Sequence, residues 1–596
     1  LPFDDSRRLT GANLFFAGTG AVLEVVGIAI DDELLRGWRA RVERARTRLH
    51  WPQTEAVVRR HATGASLALA APCDQLFLAT EINEWALCAT LQQREPARWQ
   101  ALAADMLAAA LADAPDPATV LPPVLDEPAA LARFQLLAAR EARPALRTLL
   151  AQADARALPH LLDDTELTLG AGAGGRTFEL AALPTTTDVP WQELHGIPTV
   201  LVTGSNGKTT SVRFLAACAR AHGWHVGYNC TDGVYVDDEA LASGDYSGPA
   251  GTRRVLRERR TEAAILETAR GGILRRGVAV SHADVAVVTN ISADHFGEYG
   301  IHDLAGLADV KLTVGALLDA KGWLVLNADD PQLRVKAAGL AQRFPNGPRQ
   351  GWFALDAGSP ALRAYQALGA PSCAVHAGRL CLQWAGSTQD LGAIESMPLT
   401  IGGSAGYNVA NLAGAALAAA ALGIAPATIA AVAAHFGADP TDNRGRLMRY
   451  EYAGAQVLVD YAHNPEGLRG LLQVAVHLQR RSGGRIGLLL GHAGNRQDAD
   501  IEALAGVAAS FHPDLVVVKE NEAHLRGRAP GEVPRIIHAA LLRHGLAEQA
   551  LEMRDTELAA ARCALAWVRA GDVLALPVHS QTARAAVLEL LRSPPA

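Results

Sequence analysis

The sequence predicts an α/β protein: two successive units, each a parallel sheet with helices packed on it, preceded by an α+β N-terminal domain. Three observations carry that expectation. From about residue 195, short continuous apolar runs (IPTVLVTG, AAILET, ADVAVVTNI, GWLVLNADD) alternate with helix-length segments, the pattern of strands buried on both faces. A second series begins near 445 with AQVLVDYAHN, RIGLLLGHAG, PDLVVVKENE and DVLALPVHS. In both series the strands end in polar residues, where open parallel sheets build ligand sites.

Taken in order, residues 1–190 form the α+β domain, 191–440 the central α/β domain and 441–596 the C-terminal α/β domain. In the first, ANLFF, AVLEVVGIAI, ASLALA and QLFLAT read as short strands, and Asp126 to Asp154 as a long helical stretch. LPTTTDVPW (183–191) has the Pro and Thr clusters of a linker. In the central domain TTSVRFLAACARAHG reads as a helix closed by Gly223. The run from Leu412 to Ala434 is long enough for a membrane helix. It is mostly Ala, however, and Gly423 and Pro426 interrupt it, so it reads as two buried helices.

Composition narrows the function classes. The 596 residues are 49% hydrophobic and 20% charged, enough to bury several cores. Lys plus Arg number 55 against 62 Asp plus Glu, a net charge of −7, which argues against a nucleic-acid binder. The seven cysteines are scattered and never spaced as CxxC, which suits a reducing cytoplasm better than a disulfide framework or a zinc site. The segment LPFDDSRR lacks the apolar stretch of a signal peptide. Neither nucleic acid nor membrane is expected as a partner.

The strongest local signal is TGSNGKTT: Thr203, Gly204, Ser205, Asn206, Gly207, Lys208, Thr209 and Thr210, between a strand and a helix. Gly204 and Gly207 let the backbone curl so that its N–H groups face phosphate oxygens, and the helix N-terminus adds its positive dipole end. Lys208 would reach the β- and γ-phosphates and the Thr209 hydroxyl would bind Mg²⁺. Val202 stands where the longer phosphate-loop pattern has its first glycine. Read blandly, the segment is a glycine turn with an accidental Lys-Thr-Thr, but the strand–turn–helix setting favours the phosphate reading.

Glu267 ends the next buried strand, where a carboxylate can hold Mg²⁺, a cation that takes oxygen ligands. The plain alternative is a solvated Glu opening a helix. TNISADH then brings Asn290, Asp294 and His295 to another strand end. No physical rule separates Lys311 from the other lysines.

These residues resemble the central ATPase domain of the Mur ligase family, together with Asn327 in NADD, Asn408 and Asn411 in YNVANLAGA, Arg446 in NRGR, and Asp460 and His463 in DYAHNP. Within it the likeness is to the C-terminal, Mur-like half of cyanophycin synthetase, carried by DYSGPAGTRRVL, ETARGGILRRG, ADHFGEYGI and LRGRAPGE over about 195–596. RRLTGANLFF and AVLEV also resemble the small N-terminal domain of that family, but there is no room for the ATP-grasp domain it carries between the two. The resemblance implies a Mur-ligase-like fold with a P-loop ATPase domain and a Rossmann-like C-terminal domain. It implies ATP-dependent, ADP-forming ligation, in which a carboxylate becomes an acyl phosphate and is attacked by an amine. Under it Lys208 and the loop hold phosphates, and Thr209 and Glu267 hold a magnesium. His295 and Lys311 serve a second one, Lys311 as the lysine carbamylated in many relatives. Asn327 lies near the adenine, Asp460 and His463 on the nucleotide side, and Arg446 at the hinge.

The expected substrates are an acidic peptide or amino-acid acceptor and an amino acid, with arginine onto an aspartate side chain as the specific expectation. Alternatives are a Mur-type ligase of cell-wall or polyglutamate precursors, and a non-catalytic ATP-binding partner of a separate ATP-grasp ligase. A homo-oligomer is compatible with either. TRRVLRERR (252–260) with Arg275 and Arg276 places seven arginines near the site in sequence, either to grip an acidic substrate or as a solvated face. Arg496, Asp498, Arg526 and Arg528, in polar loops after strands, are candidates for selecting the amine or for pairing with one another.

Overall fold

The computed structural model describes residues 2–592 apart from 52–55, most of 98–125, His295 and Asn346. The N-terminal sheet is antiparallel in the order β1 (Phe3–Leu9), β2 (Gly20–Val26), β4 (Gly64–Ala70), β3 (Val57–His61). The helices Asp32–Arg48 and Leu76–Arg94 share a core with it around Trp38, Leu67, Ile82 and Trp85. Trp38 Nε1 donates to Asn83 Oδ1 at 2.8 Å, so its one polar atom is satisfied inside that core.

Three local expectations change. QLFLAT is not a strand but the first turn of the Leu76–Arg94 helix: Leu78, Ala79, Ile82 and Ala86 are all fully buried, a 3.6-residue rhythm that a short window reads as a continuous run. ANLFF is a turn, because Asn13 takes the backbone for itself: its Oδ1 accepts from Phe15 N (2.9 Å) and Phe16 N (3.1 Å), and its Nδ2 donates to Gly11 O and Gly18 O. The stretch 126–154 is two helices, Glu127–Glu141 and Pro144–Asp154, since Pro144 has no N–H to continue the first. A small antiparallel sheet, β5 (His160–Leu162), β6 (Glu166–Leu169) and β7 (Arg176–Glu179), packs with the second of these helices and leads into the central domain.

The central sheet has eleven strands. Its parallel centre runs β9 (Val226–Cys230), β12 (Ala263–Glu267), β8 (Thr199–Thr203), β13 (Val285–Val288), β14 (Trp323–Asn327), β15 (Arg349–Asp356), β16 (Ser372–His376). Antiparallel strands extend both edges: β10 (Gly233–Val236) and β11 (Glu239–Ser243) on one side, β17 (Arg379–Trp384) and β18 (Ser387–Ala393) on the other. Apolar cores cover both faces, which is why the central strands carry continuous apolar runs. The Ala-rich segment forms the helices Gly406–Ala421 and Pro426–Ala433, parted at Gly423 (φ 88°). Among the described residues no helix is long and apolar enough to cross a membrane.

The C-terminal sheet runs β19 (Met448–Tyr452), β20 (Ala455–Asp460), β24 (Val573–Pro577), β21 (Ile486–Leu490), β22 (Leu515–Lys519), β23 (Leu551–Arg554), parallel except for β19. Side chains flanking β19 and β20, Arg446 and Asn464, reach the TGSNGKTT segment of the central domain.

Candidate active site

β8 lies between β12 and β13, with Val202 paired to Glu267 and Thr203 to Val288, so three adjacent strands end side by side. That register brings TGSNGKTT, Glu267 and Asn290 together. The loop needs both glycines. Gly204 has φ 145° and a Cβ there would lie 1.8 Å from Thr289 Oγ1; Gly207 has φ 84° and a Cβ would lie 2.0 Å from Asn411 Oδ1. Thr203 is buried at the end of β8.

The end of β13 holds the loop in shape. Ser205 N donates to Asn290 O (2.9 Å) and Asn206 N to Asn290 Oδ1 (2.9 Å), while Asn290 Nδ2 returns a bond to Asn206 O (3.1 Å). Ser205 Oγ donates to Ser292 O at 2.9 Å. Lys208 starts the Lys208–His222 helix and folds its Nζ onto Gly204 O (3.0 Å) and Ser205 O (3.1 Å), within one side chain's reach of the loop mouth.

Thr209 Oγ1 donates to Glu267 Oε2 at 2.8 Å and Thr231 Oγ1 to Glu267 Oε1 at 3.2 Å. Glu267 is 1% exposed, and among the described residues it has hydroxyl partners but no cation. A buried carboxylate facing only hydroxyls fits a hard divalent ion, which takes oxygen donors. Among the described residues no three His, Cys, Asp or Glu side chains gather as a metal cluster, so an ion here would rest on Glu267, Thr209 and the oxygens of a bound phosphate. His295 lies outside the described residues.

Lys311, at the end of the Leu304–Lys311 helix, is 3% exposed. Burial, with Lys208 and Arg270 adding repulsion, pushes its amine well below the usual lysine range, and Asp294 opposes this only in part. Asp294 stands between the two domains, 3.8 Å from His463 Nε2 and 3.8 Å from Arg496 of the C-terminal domain.

The C-terminal domain closes on the loop through several side chains. Arg446 sends Nη2 to Thr209 Oγ1 (3.2 Å) and stacks its guanidinium 4.5 Å from the centre of the Tyr461 ring. Asp460 accepts from Leu447 N (2.6 Å) and Ala462 N (2.7 Å), tying the segment before β19 to the end of β20, and burial raises its pKa. Asn327 is occupied with backbone: Nδ2 donates to Thr289 O (2.9 Å) and Oδ1 accepts from Asp329 N (2.9 Å). Arg528 and Asp498 pair at 2.7 Å, and Arg528 also donates to Gly494 O and Arg496 O, so these two brace the 494–498 loop.

Other contributors were not singled out by the sequence, though Asn443 and Asn464 lie inside NRGR and DYAHNP. Asn464 Nδ2 reaches Asn206 Oδ1 (2.9 Å), and Asn443 Nδ2 reaches Thr210 Oγ1 (3.2 Å). Asp232 is gripped by Arg213 of the phosphate-loop helix (2.8 Å) and Arg584 of the last helix (2.5 Å), all three under one-tenth exposed. A TDG turn after a buried strand was the one visible hint at Asp232.

Comparison with known proteins matches residues 202–345 to the Mur ligase middle domain and 445–576 to the Mur ligase, glutamate ligase domain. A cyanophycin synthetase of Synechocystis sp. is 34% identical over 346 residues, 58% of this chain and 38% of that protein. A UDP-N-acetylmuramoyl-L-alanyl-D-glutamate–2,6-diaminopimelate ligase of Alkalilimnicola ehrlichii is 32% identical over 345 residues, 55% of this chain and 63% of that one. The solved folylpolyglutamate synthase of Mycobacterium tuberculosis, complexed with ADP, is similar at 19% identity with a TM-score of 0.48, covering 67% of this chain and 91% of that chain. The match thus spans well under half the length of the cyanophycin synthetase. Both Mur ligase domains are thus matched, in order, by the part of the chain that builds this site.

Proposed function

We propose that the chain is an ATP-dependent, ADP-forming amide ligase that activates a substrate carboxylate as an acyl phosphate and joins it to the amine of an amino acid. The observation that carries this reading is the Thr209–Glu267 pair at the mouth of the glycine loop, with Arg446 of the second domain bonded to the same hydroxyl. Arginine added to an aspartate side chain is the specific reaction we favour, supported by the similarity to cyanophycin synthetases.

In this reading the loop amides and Lys208 hold the phosphates, Lys208 swinging off Gly204 O and Ser205 O to do so. Thr209 and Glu267 hold a magnesium, which when bound offsets charge on the transferred phosphoryl group. Thr203, Ser205, Asn206, Gly207, Thr210 and Asn290 shape the cradle. Asp460, His463 and Arg446 serve the nucleotide side, where Asn327 acts through the backbone it holds, and His295 and Lys311 serve a second magnesium. An amine kept neutral by burial is the form that adds CO₂, so Lys311 is suited to become a carbamate. The closing contacts of Asn464, Arg446 and Arg584 exclude water, which an acyl phosphate requires. The cytoplasm, where ATP is supplied, is the proposed compartment.

The test is phosphate release from ATP and Mg²⁺ against acidic acceptors (poly-aspartate, aspartyl peptides, glutamyl and cell-wall precursors), with and without each amino acid. Release that needs one acceptor and one amine, with the matching mass gain, and that Lys208→Ala abolishes in a folded protein, is the expected result. ATP binding without release across the panel would replace it with the reading of a non-catalytic partner of a separate ATP-grasp ligase.

A further inference from the structure

The arginines of TRRVLRERR do not all have the same employment. Beside the central sheet's β11 edge, a cavity of about 560 Å³ is lined by Arg253, Arg254, Arg257, Asp163, Glu258 and Leu241. That volume lies within the range of small-ligand pockets, roughly 300–1,000 Å³. Three arginines against two acids look nearly balanced until each ion pair is assigned. Arg257 is taken by Asp163 (2.7 Å) and Glu166 (2.6 Å), and Glu258 by Arg260 (3.0 Å). What remains is Arg253 and Arg254, neighbours on the Pro249–Arg257 helix, neither in an ion pair with a described residue.

Their surroundings favour an anion. Arg253 Nε is buried and finds no hydrogen-bond partner among the described residues. Burial above all works against the charge on Arg253; Asp163 supports it, Arg257 opposes it, Asp164 supports it and Arg276 opposes it, in falling order, and both acids are themselves paired, Asp163 with Arg257 and Asp164 with Arg8. Arg254 is exposed and spends one Nη2 on Leu241 O at 3.1 Å, leaving the rest of its fork toward the cavity mouth. A buried donor without a partner is costly, and a guanidinium fork is matched by a carboxylate. The Pro249–Arg257 helix bearing both has its N-cap Gly248 against Gly272 of the Arg270–Arg276 helix that follows Glu267, and the cavity runs along it from Ala250 to Glu258.

We propose that this cavity is a docking site for side-chain carboxylates of an acidic peptide acceptor, held by Arg253 and Arg254 apart from the residue that reacts. This rests on the proposed ligase reading for the nature of the acceptor. Such a site adds affinity for a chain with several carboxylates and none for a single amino acid, which tethers the acceptor to the protein while another part of it reacts.

The test is binding of a fluorescently labelled tetra-aspartate peptide to the whole chain without nucleotide, at fixed ionic strength. The expected result is saturable binding that Arg254→Gln weakens about tenfold, the loss of one charge-assisted pair, and that the double variant R253Q/R254Q weakens further. Melting curves show that the variants are folded, and Arg254, being exposed, can be changed alone if the double variant is not. No binding by the parent, or equal binding by a folded R254Q, overturns the proposal. Displacement by inorganic phosphate as effective as by unlabelled peptide also overturns it, since the site would then be a general anion site. Turnover is not read, so a failed ligase assay and a failed docking site remain distinguishable.

Discussion

The guanidinium of Arg7, on the first strand of the N-terminal sheet, lies 4.5 Å from the centre of the Tyr299 ring, in the loop that follows Asp294. Arg7 Nε also donates to Leu274 O (2.8 Å) on the helix that carries Arg270, and its Nη2 to the buried Glu24 (2.7 Å). Nearby, Arg59 donates to Gly300 O at 2.7 Å. The N-terminal domain thus braces the loop that presents Asp294 to the C-terminal domain. Arg7→Met should destabilise the N-terminal domain by about 3–5 kcal/mol, because Glu24 loses its guanidinium while still buried. It should also raise amide exchange in residues 296–302. Unchanged exchange there would show that the loop stands without the brace.

Glu24 supplies a pH dependence with a definite sign. Burial pushes its pKa up, but the contacts with His61, Arg7 and Ser66 outweigh burial and bring it down to about 2. A carboxyl depressed in the folded state stabilises the fold above its unfolded value near 4.5, and that stability is lost as pH falls from there towards 2. The amount is about 3 kcal/mol. Acid melting followed by a Trp38 or Trp85 signal should lose this dependence in Glu24→Gln, and a parent-like acid slope in that variant would count against the assignment.

Gly207→Ala tests the loop. It forces a β-carbon into φ 84°, worth about 1–2 kcal/mol, and against Asn411 Oδ1. Nucleotide affinity should fall, and adding Asn411→Ala should recover only part, since the backbone cost stays. Full recovery by N411A would mean that the clash alone matters; calorimetric titration with ADP separates the two.

Asp232→Asn should loosen the grip of the last helix on the phosphate-loop helix. It leaves Arg213 and Arg584 buried without their carboxylate, a loss of about 3–5 kcal/mol by analogy with other broken buried pairs. Limited proteolysis in the 439–447 connecting segment should accelerate. An unaltered cleavage rate would show that the other bridging contacts suffice.

Lys311 should respond to bicarbonate if it becomes a carbamate. Phosphate release should rise with added bicarbonate in the parent, and Lys311→Arg should be inactive, since a guanidinium cannot form the carbamate. Activity retained by K311R would remove Lys311 from the metal side of the site.

The sequence by itself determined the α/β alternation, because strands buried on both faces must be apolar throughout, and it determined the phosphate loop, whose glycines, lysine and threonines are contiguous. Glu267 and Asn290 were legible for the same local reason: each ends a buried strand. Tertiary structure decided what depends on residues far apart in the chain. It put β8 between β12 and β13, and so Glu267 against Thr209. It stripped Lys311 of water, which no local pattern records. It assigned Asn327 to backbone and Arg528 to Asp498, and among the described residues it left Arg253 out of any ion pair while giving Arg257 two. QLFLAT and ANLFF were misread because short apolar windows fit two periods, and a distant sheet or one asparagine side chain then chooses between them. Whether a charged group is a ligand, a brace or an unfilled demand depends on its desolvation and its partners, and those exist only once the chain is folded.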